Sequence, residues 1–331
     1  MTRPLPVGKL PEHVLKRYVL RHRGYMRGDV VLWPGFGEDA GAVKASKDVY
    51  VLSTDPITGS KQFVGWLAVH ASANDVAVSG ARPLWFSSTI LLPERSGTGD
   101  LSRIVRQISS ACRRLKTAVV TGHSEIAPFV ASPTVVGHMI GRLAAGRLIT
   151  SSGARPGDYI LMVKSVGLEG VSIIASDYPT LLRKKKLDPE SIRRAAGLIR
   201  KTSVVEEALA FARAGVSAMH DPTEGGLLGG LYEMAQASSV GFYVDRSKVL
   251  IDPLVARITK ALDIDPLKLI SSGTLLATAR KLRRRVVQKT GASVIGRIVE
   301  RRKGMRIFSE DGEQKLKGHV QDELWRFMAE M

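Results

Sequence analysis

Gly37-Glu38-Asp39-Ala40-Gly41-Ala42-Val43 is the stretch from which the fold is read, together with Ser53-Thr54-Asp55, Asn74-Asp75 and Thr121-Gly122-His123-Ser124-Glu125. Each is a short acidic or polar cluster at the end of an apolar run. Carboxylates spaced this far apart converge only through folding. Where they converge they suit Mg²⁺ and a polyphosphate, because Mg²⁺ takes oxygen ligands and is usually shared between carboxylates and substrate phosphates.

The flanking pattern alternates strand and helix. Residues 40–44 and 48–54 read as two strands joined by a short turn, with Asp55 at the end of the second and Pro56 expected to stop its pairing. Residues 64–79 read as a helix of small residues (Ala68, Ala71, Ser72, Ala73, Ala77), hence a helix buried and closely packed on its neighbours. His70 and Asn74 are four apart on one of its faces. Gly80-Ala81-Arg82-Pro83 ends it. A strand over 84–92 follows, then a helix capped by Asp100 with the apolar stripe Leu101, Ile104, Val105, Ile108 and Cys112 or Leu115. Strands follow at 118–121 and 134–143, with the Thr121–Glu125 cluster just past the first of them.

Ser151-Ser152-Gly153-Ala154-Arg155-Pro156-Gly157-Asp158 is turn-rich and reads as a linker. It divides the chain into residues 1–152 and 153–331. Beyond it lies a strand at 159–163, then Ser203-Val204-Val205-Glu206, a capping-box signature opening a helix that ends near Gly215. Asp221-Pro222-Thr223-Glu224-Gly225-Gly226 leads into another helix. Thr223 is its expected cap, and the free N–H groups there offer a place for an anion. Strands fit 242–244, 274–279, 293–299 and 305–308; helices fit 9–22, 253–263, 281–290 and 319–330. Both halves mix strands and helices, which argues for two α+β or α/β domains.

The 331 residues carry 49 Lys and Arg against 31 Asp and Glu, a net charge of +18. That balance suits nucleic acid, anionic surfaces or phosphorylated substrates. Yet the basic runs Lys184-Lys185-Lys186, Arg283-Arg284-Arg285 and Arg301-Arg302-Lys303 lack interleaved aromatics and read as solvated faces, so nucleic acid is not the expected partner. No apolar run is long enough to span a membrane and residues 1–8 hold no apolar leader, so a cytoplasmic protein is expected. A single cysteine, Cys112, excludes an internal disulfide and a cysteine-based zinc site. Asn74 is the only asparagine; depletion of that residue suggests a thermophilic source.

Asp75 stands out among the acids. A carboxylate inside a helix of small, buried-looking residues costs free energy unless it is paired or metal-bound. Asp39 and Asp55 read equally as ligands or as loop and turn residues, whereas His123 reads on local grounds as a satisfied polar residue and His70 as a core histidine bonded to backbone. The Walker, Rossmann and nucleophile-elbow patterns are missing.

Taken together, Gly8-Lys9-Leu10-Pro11, Gly37-Glu38-Asp39-Ala40, Thr54-Asp55, Asn74-Asp75, Gly80-Ala81-Arg82-Pro83, Gly122-His123-Ser124-Glu125, Asp221-Pro222-Thr223-Glu224-Gly225-Gly226 and Ser272-Gly273-Thr274 resemble, in order, the motifs of the AIR synthase (PurM-like) superfamily. Within it they look most like the hydrogenase maturation HypE and archaeal AIR synthase-related proteins. The resemblance implies an α+β, two-domain fold: an N-terminal mixed or antiparallel sheet that forms a barrel across a homodimer, and a C-terminal α+β sandwich. It implies Mg²⁺ and ATP in the cleft. Asp39, Asp55, Asp75 and Asp221 fall at metal positions, Gly37, Thr54, Asn74 and Gly122 with them at the nucleotide, and His123 and Glu125 at the chemistry. The implied reaction is ATP-dependent phosphorylation of an amide or other oxygen of a small molecule or protein. The alternatives are a small-molecule kinase like thiamine-monophosphate kinase and a non-catalytic maturation scaffold. HypE proteins end in a tail with a terminal cysteine; this sequence ends Glu323-Leu324-Trp325-Arg326-Phe327-Met328-Ala329-Glu330-Met331, so self-bound thiocyanate chemistry is not expected. Glu224 stands where HypE proteins usually have arginine, and Gly41 where the family usually has alanine.

Overall fold

A computed structural model describes residues 5, 7–144, 146–310 and 312–331. Residues 1–4 and 6, part of the stretch read for an apolar leader, lie outside the described residues.

The first six strands are β1 (Val30–Leu32), β2 (Gly41–Ala45), β3 (Asp48–Ile57), β4 (Ala81–Leu92), β5 (Ala118–Ile126) and β6 (Thr134–Leu143). They form one sheet in the order β1-β2-β3-β6-β4-β5, antiparallel except between β4 and β5. The helices of this half are α1 (Glu12–Tyr18), α2 (Val64–Val78) and α3 (Thr98–Leu115). A second sheet has the order β13-β12-β9-β11-β7-β10-β8. Its strands are β7 (Tyr159–Val163), β8 (Ala218–His220), β9 (Val240–Asp245), β10 (Leu275–Ala279), β11 (Ser293–Glu300), β12 (Met305–Ser309) and β13 (Gly312–Lys315). Around it lie α4 (Leu168–Asp177), α5 (Pro179–Lys184), α6 (Pro189–Ala196), α7 (Val205–Ala214), α8 (Gly226–Ser238), α9 (Pro253–Ala261), α10 (Arg284–Thr290) and α11 (Glu323–Ala329). Among the described residues no helix is long and apolar enough to cross a membrane.

α2 is the pivot. Every one of its residues except Trp66 is buried. Its small side chains let it lie against the sheet at distances no larger residue allows. A Cβ on Gly137 of β6 would stand 2.5 Å from the carbonyl oxygen of Ala68, and one on Gly65 the same distance from that of Ile104 on α3. α7 packs on its far side. One apolar core therefore runs from β3, β4 and β6 through α2 and α3 to α7 and the inner faces of β7 and β10.

Several sequence expectations need correction. Pairing of β3 with β6 does not stop at Pro56: it continues through Pro56↔Val136 and Ile57↔Val135. β2 leaves β3 after Leu52, so the missing proline N–H costs no ladder bond on that open side. The cap of α3 is Gly97; Asp100 sits a turn later and accepts the Gly97 N–H at 3.1 Å. Val105 is exposed, not part of the buried stripe. Ser203 does not cap α7, which begins at Val205, and the Val204 N–H donates to the Asn74 side chain at 2.9 Å. Thr223 does not cap α8. The Gly225 N–H that was to face an anion donates instead to Asp322 at 2.6 Å. The stretch at 151–158 opens with a buried residue, Ser151, held to Met219 and Glu38. α4, α5 and α6 occupy a region for which no element was expected.

Candidate functional site

A cavity of about 790 Å³ opens between the two sheets. Asp39, Thr54, Asp55 and Asp75 line it from the first half, Glu169, Thr223, Glu224, Ser272 and Trp325 from the second, and Gly8 and Lys9 from the N-terminal segment. The three aspartates reach it from different elements: the loop before β2, the open-sided end of β3, and the fourth turn of α2.

Their environments differ. Asp75 is 7% exposed, and Ser53 Oγ lies 2.6 Å from its Oδ2 and 3.1 Å from Oδ2 of Asp55. Burial, and then the charge of Asp55, hold the Asp75 carboxyl well above the usual carboxylate range. Asp39 is paired to a residue the sequence reading did not single out: its Oδ1 is 2.9 Å from Nδ1 of His220, whose Nε2 is 3.2 Å from Glu233. Lys9 closes the chain at 2.7 Å from Glu233. Burial alone would lower His220, but the two carboxylates on its ring raise it to about 10. Glu233, deep on α8, is held down to about 2 by Lys9 and His220 against the opposing effect of burial. The imidazolium thus ties the loop carrying Asp39 to β8 and α8. Glu169 on α4 accepts the Ser272 N–H at 3.1 Å, and burial pushes it up to about 7.

Asp221 is 1% exposed and neither carboxylate oxygen has a partner; burial and the nearby Asp39 charge push it well above its ordinary range. It is not among the residues lining the cavity. Among the described residues no three His, Cys, Asp or Glu side chains close into a ready-made metal cage. The donor set lining the cavity is all hard oxygen, and the mutual repulsion of Asp55 and Asp75 is what a divalent cation relieves. The residues present fit Mg²⁺ shared with phosphate oxygens.

Of the other expected residues, Gly37 has φ +79 and stands where a Cβ would lie 2.7 Å from the Glu233 carbonyl oxygen, so it sets the approach of the Asp39 loop to α8. Asn74 does not line the cavity. Its amide donates to Thr202 O at 2.8 Å and its oxygen accepts from Val204, clamping the turn before α7. Gly122, His123 and Glu125 are not brought to the carboxylates within this chain. They lie inside β5, not past its end, and His123 and Glu125 are exposed and 3.1 Å from each other. β5 stands three strands from β3, about 14 Å at ordinary spacing. Gly122 and His123 line a separate hollow with Thr54, Ser88 and His138.

The reading missed His220, Glu233, Glu169, Lys9 and Trp325. Glu233 carried a usable signal: a carboxylate within the apolar run Leu227–Ala235 of a helix poses the same cost as Asp75. Trp325, whose indole nitrogen is buried without a partner, came from a segment with no polar motif.

The family described as "AIR synthase related protein, N-terminal domain" matches residues 37–143, and "AIR synthase related protein, C-terminal domain" matches residues 155–308. A carbamoyl dehydratase HypE from Rhizobium leguminosarum is 30% identical over 257 residues, 74% of this chain and 70% of that protein. One from Cupriavidus necator is 33% identical over 239 residues, 69% of this chain and 64% of its own length, so the chain spans less than two thirds of it. The structure of a hydrogenase maturation protein HypE in complex with ATP superposes with a TM-score of 0.71 and 22% identity over 98% of each chain. At that identity the likeness is one of fold.

Proposed function

The chain belongs to the AIR synthase related family, and on that premise we propose that it binds Mg-ATP in the cleft and uses it to phosphorylate an amide oxygen. The observation that carries this reading is the convergence of Asp39, Asp55 and Asp75, from three separate elements, on one cavity of about 790 Å³, a size suited to a nucleotide with a small acceptor. The name of two relatives, carbamoyl dehydratase, supports a primary amide as that acceptor.

Asp39, Asp55 and Asp75 would hold the Mg²⁺, which supplies charge neutralisation at the phosphates when bound. Asp221, beside Asp39, is buried behind them with its carboxyl pushed well above the usual range, and it does not line the cavity. The protein's own work is positioning. The His220–Glu233 pair fixes the Asp39 loop, and the N-terminal segment is held over the cleft by the Lys9 N–H on Glu224 at 2.5 Å. In the reaction the amide oxygen attacks the γ-phosphorus and ADP leaves. With loss of one nitrogen-bound proton this gives an O-phosphorylated imidate, which then loses phosphate and its remaining nitrogen-bound proton to give a nitrile. Glu169, in the cavity with its proton affinity near neutrality, suits the acceptance of such a proton. The one cysteine in these residues, Cys112, is buried on α3 with its thiol pushed up to about 12, so it does not carry the acceptor.

The same reading includes a homodimer joined through the first sheet. β5 is a long edge strand, exposed along its whole length, with Val119, Val120 and Ile126 each about half exposed. An edge of this kind is normally covered. A partner there would cover the hollow that holds Gly122 and His123.

The test is ADP formation from Mg-ATP with a panel of primary amides, including a carbamoylated peptide, and matched N-methyl amides. ADP release with primary amides alone supports dehydration. A stable phosphorylated product from an alcohol or phosphate acceptor would assign a kinase. ATP binding without turnover on any acceptor would assign a scaffold and contradict the reading.

A further inference from the structure

His70 belongs to α2 but takes no part in the cleft. It is 2% exposed and neither ring nitrogen has a hydrogen-bond partner. Buried polar groups nearly always find a partner, so an orphaned imidazole needs a reason. One side of the ring is covered by Trp66, with centroids 4.5 Å apart, and the Trp66 indole is fixed by donating to Ile199 O at 3.0 Å.

His70 lines a cavity of about 210 Å³ between the end of α3, the start of β4 and the turn before α7. The other walls include Arg82, Arg114, Lys116, Arg200 and Ser203. Glu206 is the one carboxylate there, and it is taken by Arg82 at 3.1 Å. Among the described residues Arg114, Lys116 and Arg200 make no ion pair. Lys164 stands close behind, its ammonium donating to Ser203 O and paired with Glu207 at 2.9 Å. Burial, then the charges of Arg114 and Lys164, hold His70 down to about 3, so the ring is neutral and offers one N–H.

We propose that this pocket is a second binding site, for a phosphate-type oxyanion: a buried, partnerless imidazole in its lining and three cationic side chains free of ion pairs around it, Arg114 also lying over the Trp66 ring, supply both the donor and the charge such a group requires. At about 210 Å³ it lies below the usual range for a whole small-molecule ligand, about 300–1,000 Å³. It therefore takes the phosphate ion or the phosphate end of a metabolite rather than a nucleoside. The site is separate from the nucleotide cleft and does not depend on the reading given for it. The two share α2, whose Asn74, next to Asp75, holds the 202–204 turn that supplies Ser203 to this pocket.

The test is calorimetric titration of the full chain with inorganic phosphate and with phenyl phosphate, in magnesium-free buffer at low ionic strength, so that the acidic cleft has no cation with which to hold phosphate. One saturable site is expected, weakened about tenfold or more in Arg114→Gln and in Arg200→Gln. Both side chains are exposed, so their loss leaves the fold intact, as a melting curve checks. Equal affinities would assign the free ion, and tighter phenyl phosphate the end of a metabolite; either upholds the site. No saturable binding, or binding unchanged in the Arg114→Gln/Arg200→Gln double variant, would overturn it.

Discussion

Asp75 has two roles of opposite sign. Without a cation it is a buried carboxyl beside Asp55 and destabilises the fold near neutrality; with Mg-ATP it is a binding group. Asp75→Asn keeps the contact with Ser53 and removes the charge. It is expected to raise the melting temperature of the magnesium-free protein at pH 8, by roughly 1–2 °C for each kcal/mol recovered, as calorimetry would show. The proton balance gives a second expectation. Glu169 and Asp322 are each raised to about 7, and His220 to about 10. In each case the native protein keeps a proton that the unfolded chain releases, so the stability gained is complete below the unfolded value and is lost as pH rises through the folded one. Magnesium-free stability should therefore fall from about pH 4 to 7 through Glu169 and Asp322, and continue to fall towards pH 10 through His220. Glu233, held down to about 2, acts only on the acid side of this window. In Glu169→Gln, urea melts should show a shallower fall between about pH 4.5 and 7, by on the order of 3 kcal/mol. At this scale Asp75 stood out as a carboxylate inside a helix of small residues, whereas Asp39 and Asp55 read equally as turn residues until the order of the family's motifs was seen. His220 was not legible, because its partners come from two distant segments and an ion pair leaves no trace in either.

The elements are held by close approach more than by large side chains. Gly137→Ala would push a methyl group into the backbone of α2 at Ala68, and Gly37→Ala would meet the Glu233 carbonyl from a left-handed backbone. Each should destabilise by about 1–3 kcal/mol in denaturant melts, and Gly37→Ala should also weaken ATP binding because it displaces the Asp39 loop. Gly197→Ala is the control: nothing lies within 4 Å of the added carbon, and it should stay within about 0.5 kcal/mol of wild type. The burial of α2 was legible from its small residues, and most strands from their apolar runs. α6 escaped notice although Asp188 caps it, accepting the Ser191 N–H at 2.8 Å, and Pro189 opens it. The cap of α8 could not be read, because Asp322 reaches it from nearly a hundred residues away along the chain.

The whole molecule places its cleft where two sheets meet across a shared core, and β5 leaves a long edge of the first sheet exposed. The homodimer proposed above predicts that Val120→Asp on that edge converts a dimer to a monomer in light scattering without lowering the melting temperature of the monomer. The two-sheet plan was legible from the alternation of strands and helices. Within the stretch read as a linker, Ser151 is buried and held by Glu38 and Met219, partners distant in the sequence. The central claim, that these carboxylates hold Mg-ATP, is tested most directly by melting wild type and Asp75→Asn with ATP, each with and without Mg²⁺. A ligand at a hundred times its dissociation constant stabilises by about 2.7 kcal/mol. The account predicts a rise in wild type only when Mg²⁺ accompanies ATP, and none in Asp75→Asn, although that variant starts from the higher melting temperature. An equal rise in both proteins, or none in wild type at saturating Mg-ATP, would contradict it.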